Sequence, residues 1–112
     1  MRRTDADHAR DALAHLVMID RHVAEGGWDR QVIVDAVCLR LAASIEAASR
    51  LSECARETAF GPTWSVIWST RNSIAHGYST VDPQIVRATV ENDLATYAEA
   101  LEGIVARHPS MR

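Results

Sequence analysis

The stretch Val32-Ile33-Val34-Asp35-Ala36-Val37-Cys38-Leu39-Arg40-Leu41-Ala42-Ala43-Ser44-Ile45 carries apolar side chains on more than one face of a helix, and Leu51 extends the pattern. A helix running from near Asp29 to about Arg56 has several sides to bury, which takes neighbouring helices or a second subunit. Upstream, Ala9, Ala12, Leu13, Leu16, Ile19 and Val23 recur at three- and four-residue spacing. They predict a first helix capped at Thr4 or Asp5, running to Ala24 or Glu25 and ended by Gly26-Gly27. Downstream, residues 57–62 hold Phe60-Gly61-Pro62 and read as a loop. Thr63 is placed to cap a third helix from Trp64 to His76, with Trp64, Ile67, Trp68, Ile74 and Ala75 as its core face. Asp82-Pro83 reads as N-cap and first turn of a final helix through Ile85, Val86, Val90, Leu94, Tyr97, Leu101 and Ile104, stopped by His108-Pro109. Four helices with short connections predict an all-α, up-and-down antiparallel bundle, with residues 1–112 as one domain.

The composition sets limits on function. A chain of 112 residues, 47% hydrophobic, supports one core. The net charge of −3 argues against broad coating of nucleic acid, where neutralising phosphates dominates affinity. Any RNA contact must be local. All twelve basic residues are Arg; bidentate phosphate contacts would use this, but genomic base composition explains it more simply. Met1-Arg2-Arg3 is followed by polar residues rather than an apolar leader, so the expected location is cytoplasmic, with no membrane partner. Cys38 and Cys54, placed on one helix, would lie roughly 24 Å apart and are expected to be reduced, buried small hydrophobes. His8, His15 and His22 align at seven-residue spacing but stand about 10 Å apart along the axis. That is too far to share a metal, so they read as a solvated polar stripe.

Chemistry concentrates in Arg71-Asn72-Ser73-Ile74-Ala75-His76-Gly77-Tyr78. On an ideal helix Arg71 and His76 lie about 140° apart, whereas Asn72 and His76 share a face. Arg71 and His76 converge only if the helix ends at His76, which a left-handed Gly77 would bring about. Cleaving RNA without a metal requires a base for the 2′-OH, an acid for the departing 5′-oxygen and a cation for the phosphoryl oxygens. Imidazole serves the first two roles and guanidinium the third. Asn72 orients the imidazole or binds a phosphate oxygen. Neither a metal nor another cofactor is required. One His76 cannot be acid and base on opposite sides of one phosphate, so a two-fold homodimer is expected. A structural alternative also exists, because cations in a last helical turn suit the helix dipole and a Tyr after Gly can pin a loop.

These residues, with Asp35-Ala36-Val37 and Glu46-Ala47-Ala48-Ser49-Arg50-Leu51 upstream, resemble the HEPN-domain ribonuclease toxins of the HepT type, whose motif is R-(N)-x-x-x-H-x-Y. The resemblance implies a metal-independent endoribonuclease with Arg71, Asn72 and His76 at a cleft between protomers, leaving 2′,3′-cyclic phosphate and 5′-OH ends. It also implies a cognate minimal nucleotidyltransferase antitoxin that attaches AMP to Tyr78, although a packing Tyr is the plainer reading of that residue. Glu46, with Ser49 and Glu53, either supports Arg71 at the cleft or forms a solvent face. Two departures stand out: Ile45 occupies a position where relatives often carry Gly, and Ser73 one where a further basic residue is common. The rival reading is a non-catalytic helical module that binds a nucleotide or assists a nucleotidyltransferase.

Overall fold

The computed structural model describes residues 2–77 and 80–107. It is all-α, with no strand among the described residues: α1 Asp5–Gly26, α2 Gln31–Ala48, α3 Glu53–Phe60, a 3-10 turn Gly61–Thr63, α4 Trp64–Ala75, α5 Pro83–Asn92 and α6 Leu94–Arg107. Helices α5 and α6 are separated by Asp93 alone, so they make one interrupted run. Thr4 caps α1 through a full capping box, its hydroxyl accepting from the Asp7 N–H while the Asp7 carboxylate accepts from the Thr4 N–H. Those hydrogen bonds hold the Asp7 carboxyl below its usual range.

The expected second helix is two helices, and this is the main correction to the four-helix reading. It starts at Gln31 rather than Asp29, stops at Ala48, and the chain turns before α3. Ser52 enforces the break by capping α3: its hydroxyl accepts from the Ala55 N–H. The Asp5 carboxylate takes the Ser52 N–H at 2.7 Å and its hydroxyl at 2.8 Å, tying this corner to the start of α1. The expected loop at 57–62 is the end of α3 followed by the 3-10 turn, and Thr63 makes no side-chain cap. The last helix is interrupted at Asp93. The stop assigned to His108-Pro109 lies outside the described residues.

Helix α1 packs on α2 and α6, and α2 also carries α4. Ala9, Ala12 and Ala48 are completely buried, and these small side chains let the backbones approach closely around Ile19, Val37, Leu101 and Ile104. At Gly26 an added Cβ would sit 2.4 Å from the Ile33 side chain, so glycine is what permits α2 to turn back against the end of α1. One buried polar link joins three helices. The Ser44 hydroxyl donates to the Ala12 carbonyl at 2.8 Å, so at 3.0 Å the Tyr97 hydroxyl must be donor and Ser44 acceptor. Burial raises the Tyr97 phenol to about 12.

Other expectations need adjusting. Cys38 is buried, its thiol pushed up by burial, whereas Cys54 is exposed on α3, so the two do not share a helix. His15 belongs to no simple solvated stripe: its Nδ1 lies 3.2 Å from an Arg40 guanidinium N–H. Of the expected core face of α4 only Ile74 is buried; Trp64, Ile67 and Trp68 are half-buried and Ala75 is exposed. Among the described residues no helix is long and apolar enough to cross a membrane.

Candidate functional site

Helix α4 carries the site, and α2 supplies its backing. Arg71 reaches α2, where its Nε donates to Glu46 Oε2 at 2.8 Å. Its Nη1 donates to Asn72 Oδ1 at 3.1 Å, and the guanidinium carbon stands 4.8 Å from the centre of the Trp68 ring. Of five guanidinium N–H groups these two bonds engage two, leaving one on Nη1 and both on Nη2. Two of these donors suffice for two phosphate oxygens. The Arg71 and Glu46 side chains are 30% and 37% exposed, so the ion pair adds on the order of 1 kcal/mol or less to stability. Its larger effect is on where the guanidinium points.

The end of α4 differs in detail from the expected left-handed stop. His76 is the C-cap but keeps helical torsions, φ −74° and ψ −15°, and its N–H still donates to the Asn72 carbonyl at 3.0 Å. The roughly 140° offset from Arg71 therefore persists within one chain. Arg71 turns toward α2, while His76 is exposed. Asn72, about 40° from His76 around the helix, gives its carbonyl oxygen to Arg71 and keeps its amide N–H groups for another acceptor. Gly77 has a positive φ of 151°, a torsion unfavourable for any residue with a Cβ. Its carbonyl accepts both the N–H and the hydroxyl of Thr80, at 3.0 and 2.8 Å, closing the turn. Tyr78 lies outside the described residues.

The structure thus joins Arg71, Asn72 and Glu46 and leaves His76 apart. Ser49 turns away, its hydroxyl donating to the Glu46 carbonyl, and Glu53 belongs to α3. Among the described residues no group of three or more His, Cys, Asp or Glu side chains is arranged to hold a metal ion. Sequence reasoning missed the ring under Arg71: Trp64, Trp68 and Arg71 stand at i, i+4 and i+7 on one edge of α4, and that spacing was the available signal. It also missed a groove of about 360 Å³ beside α4, lined by Leu41, Ile45, Phe60, Ile67 and Tyr97 among others.

A family model described as "Ribonuclease HepT-like" matches residues 9–104, a span that includes every site residue named above. Comparison with curated proteins and with solved structures gives no match.

Proposed function

The chain belongs to the HepT-like ribonuclease family, and from that premise we propose that it is the toxin of a toxin–antitoxin pair, a metal-independent endoribonuclease acting as a homodimer in the cytoplasm. The observation that carries this reading is Arg71, braced by Glu46 and Asn72 with three N–H groups left over, on the helix whose end presents His76 to solvent. In the proposed reaction the 2′-oxygen of RNA attacks phosphorus and its proton passes to one imidazole. The bond to the 5′-oxygen breaks, and that oxygen takes a proton from a second imidazole. Arg71 holds the charge on the two non-bridging oxygens. The products are a 2′,3′-cyclic phosphate and a 5′-OH end.

Two imidazoles call for two protomers, and the outer ridge of α2 supports the pairing. Val32 and Leu39 are 58% and 68% exposed, and with Glu46 they stand seven residues apart in one line. An apolar seam so placed ends at the residue that braces Arg71, so a second copy seated on it lies next to the site. The partner proposed to silence the enzyme is a minimal nucleotidyltransferase that transfers AMP to Tyr78. An adenylate there adds an anionic phosphate that would compete with RNA for the Arg71 guanidinium.

Purified protein is expected to cut RNA in excess EDTA, and His76→Ala is expected to abolish cutting with the helical CD signal unchanged. If wild type leaves RNA intact while binding a nucleotide or the nucleotidyltransferase, the non-catalytic reading replaces this one. Mass spectrometry after co-expression with the nucleotidyltransferase is expected to find adenylate on the Tyr78 peptide. Neutralisation with that peptide unmodified would reassign Tyr78 and leave steric masking.

A further inference from the structure

A column of rings runs from the core to the site. Tyr97, buried and hydrogen-bonded to Ser44, stacks on Phe60 with centroids 5.6 Å apart and planes 22° apart. Phe60 meets Trp64 at 5.6 Å, Trp64 meets Trp68 at 6.0 Å with planes 26° apart, and the Arg71 guanidinium lies over Trp68. Arg56 sits over Trp64 in the same manner, at 5.4 Å. The fold fully buries only Ile74 of α4, and Trp68 packs half-buried at the edge of the core. Its outer position is explained by what it carries.

Glu46 and Asn72 hold Arg71 at two points, Nε and Nη1, and two points leave the guanidinium plane free to rock about the line that joins them. A third contact from above or below is needed to fix the tilt. An aromatic face supplies it, because its negative quadrupole attracts the cation over a broad flat area. We propose that Trp68, itself stacked on Trp64, is a positioning residue that sets the tilt of Arg71 so that its remaining Nη N–H groups face a scissile phosphate. The proposal deepens the ribonuclease reading and rests on it for its kinetic consequence. An Arg71 that tilts freely still attracts RNA by charge, so binding survives. What is lost is alignment with the phosphoryl oxygens as charge builds in the transition state.

The test compares Trp68→Leu, which keeps apolar bulk without a π face, with Trp68→Phe, which restores a face. Cleavage of an oligoribonucleotide is measured alongside thermal melting and the NMR signal of the Arg71 Nε–H. Trp68→Leu is expected to lower kcat about tenfold or more with KM changed by less than about twofold, and Trp68→Phe to stay within about threefold of wild type. In wild type the Nε–H resonance is expected to show a ring-current shift and slow exchange, both lost in Trp68→Leu and kept in Trp68→Phe. A wild-type kcat for Trp68→Leu overturns the proposal, as does equal loss in both variants or an unshifted resonance in wild type. If wild type cuts no RNA yet shows the shifted, Phe-rescued resonance, the ribonuclease reading falls and the positioning role stands.

Discussion

At the scale of single residues, the molecule separates groups that hold it together from groups that hold a charge in place. Ser44 is of the first kind. Ser44→Ala removes a second donor to the Ala12 carbonyl and the acceptor for the Tyr97 hydroxyl, leaving that buried hydroxyl unpaired. It is expected to cost about 1–3 kcal/mol, read as a lower urea midpoint with unchanged slope. Glu46 is of the second kind. Glu46→Gln is expected to change stability by less than about 1 kcal/mol, because the pair is half-exposed. RNA cleavage is expected to fall clearly, because Arg71 loses its charged brace. A Glu46→Gln variant with wild-type activity would confine Glu46 to the solvent face. Arg71, Asn72 and His76 stood out in the sequence because an amide, a guanidinium and an imidazole within six positions have few structural uses together. Trp68 was hidden because an aromatic at helical spacing reads first as core, and only the position of the guanidinium over the ring separates the two uses.

At the scale of elements, hydrophobic spacing located helices well where a strong cap agreed with it and poorly where a helix changed direction. Thr4 and Asp82 mark true starts because each side chain accepts a backbone N–H. The break between α2 and α3 was missed because apolar spacing continues across it through Leu51, which is buried. Ser52, followed by Glu53, was the N-cap signal that outweighed the spacing. The exposed ridge of α2 yields a prediction of its own. Leu39→Glu places a carboxylate on the seam, and light scattering is expected to show the mass falling from twice 12.4 kDa to that of one chain. A wild type that is monomeric at micromolar concentration and fully active would contradict the seam. The α1–α2 contact also carries a pH dependence. Burial, helped by the Arg40 charge and opposed by Asp11, lowers the His15 pKa, and the neutral ring accepts from Arg40 at Nδ1. Because the folded state resists protonation, stability is fully present above the ordinary histidine pKa of about 6.5 and is lost as pH falls below it toward the lowered value. His15→Gln is expected to flatten the melting temperature over that range, and an unchanged slope would remove His15 as its source.

At the scale of the whole molecule, a body of 43 × 28 × 26 Å places Arg71 and His76 on one helix yet directs them differently. In the proposed reaction a single chain offers the cation for the phosphate and one imidazole, and a second copy would complete the acid–base pair. The net charge of −3 agrees with a small, local grip on RNA rather than a basic surface. The most direct test of this account is cleavage of a defined RNA by purified wild type, Arg71→Ala and His76→Ala in excess EDTA, with the new ends identified chemically. Cleavage by wild type alone, leaving 2′,3′-cyclic phosphate and 5′-OH ends, is the predicted result. Activity that needs added magnesium, or that survives in folded His76→Ala, would contradict it.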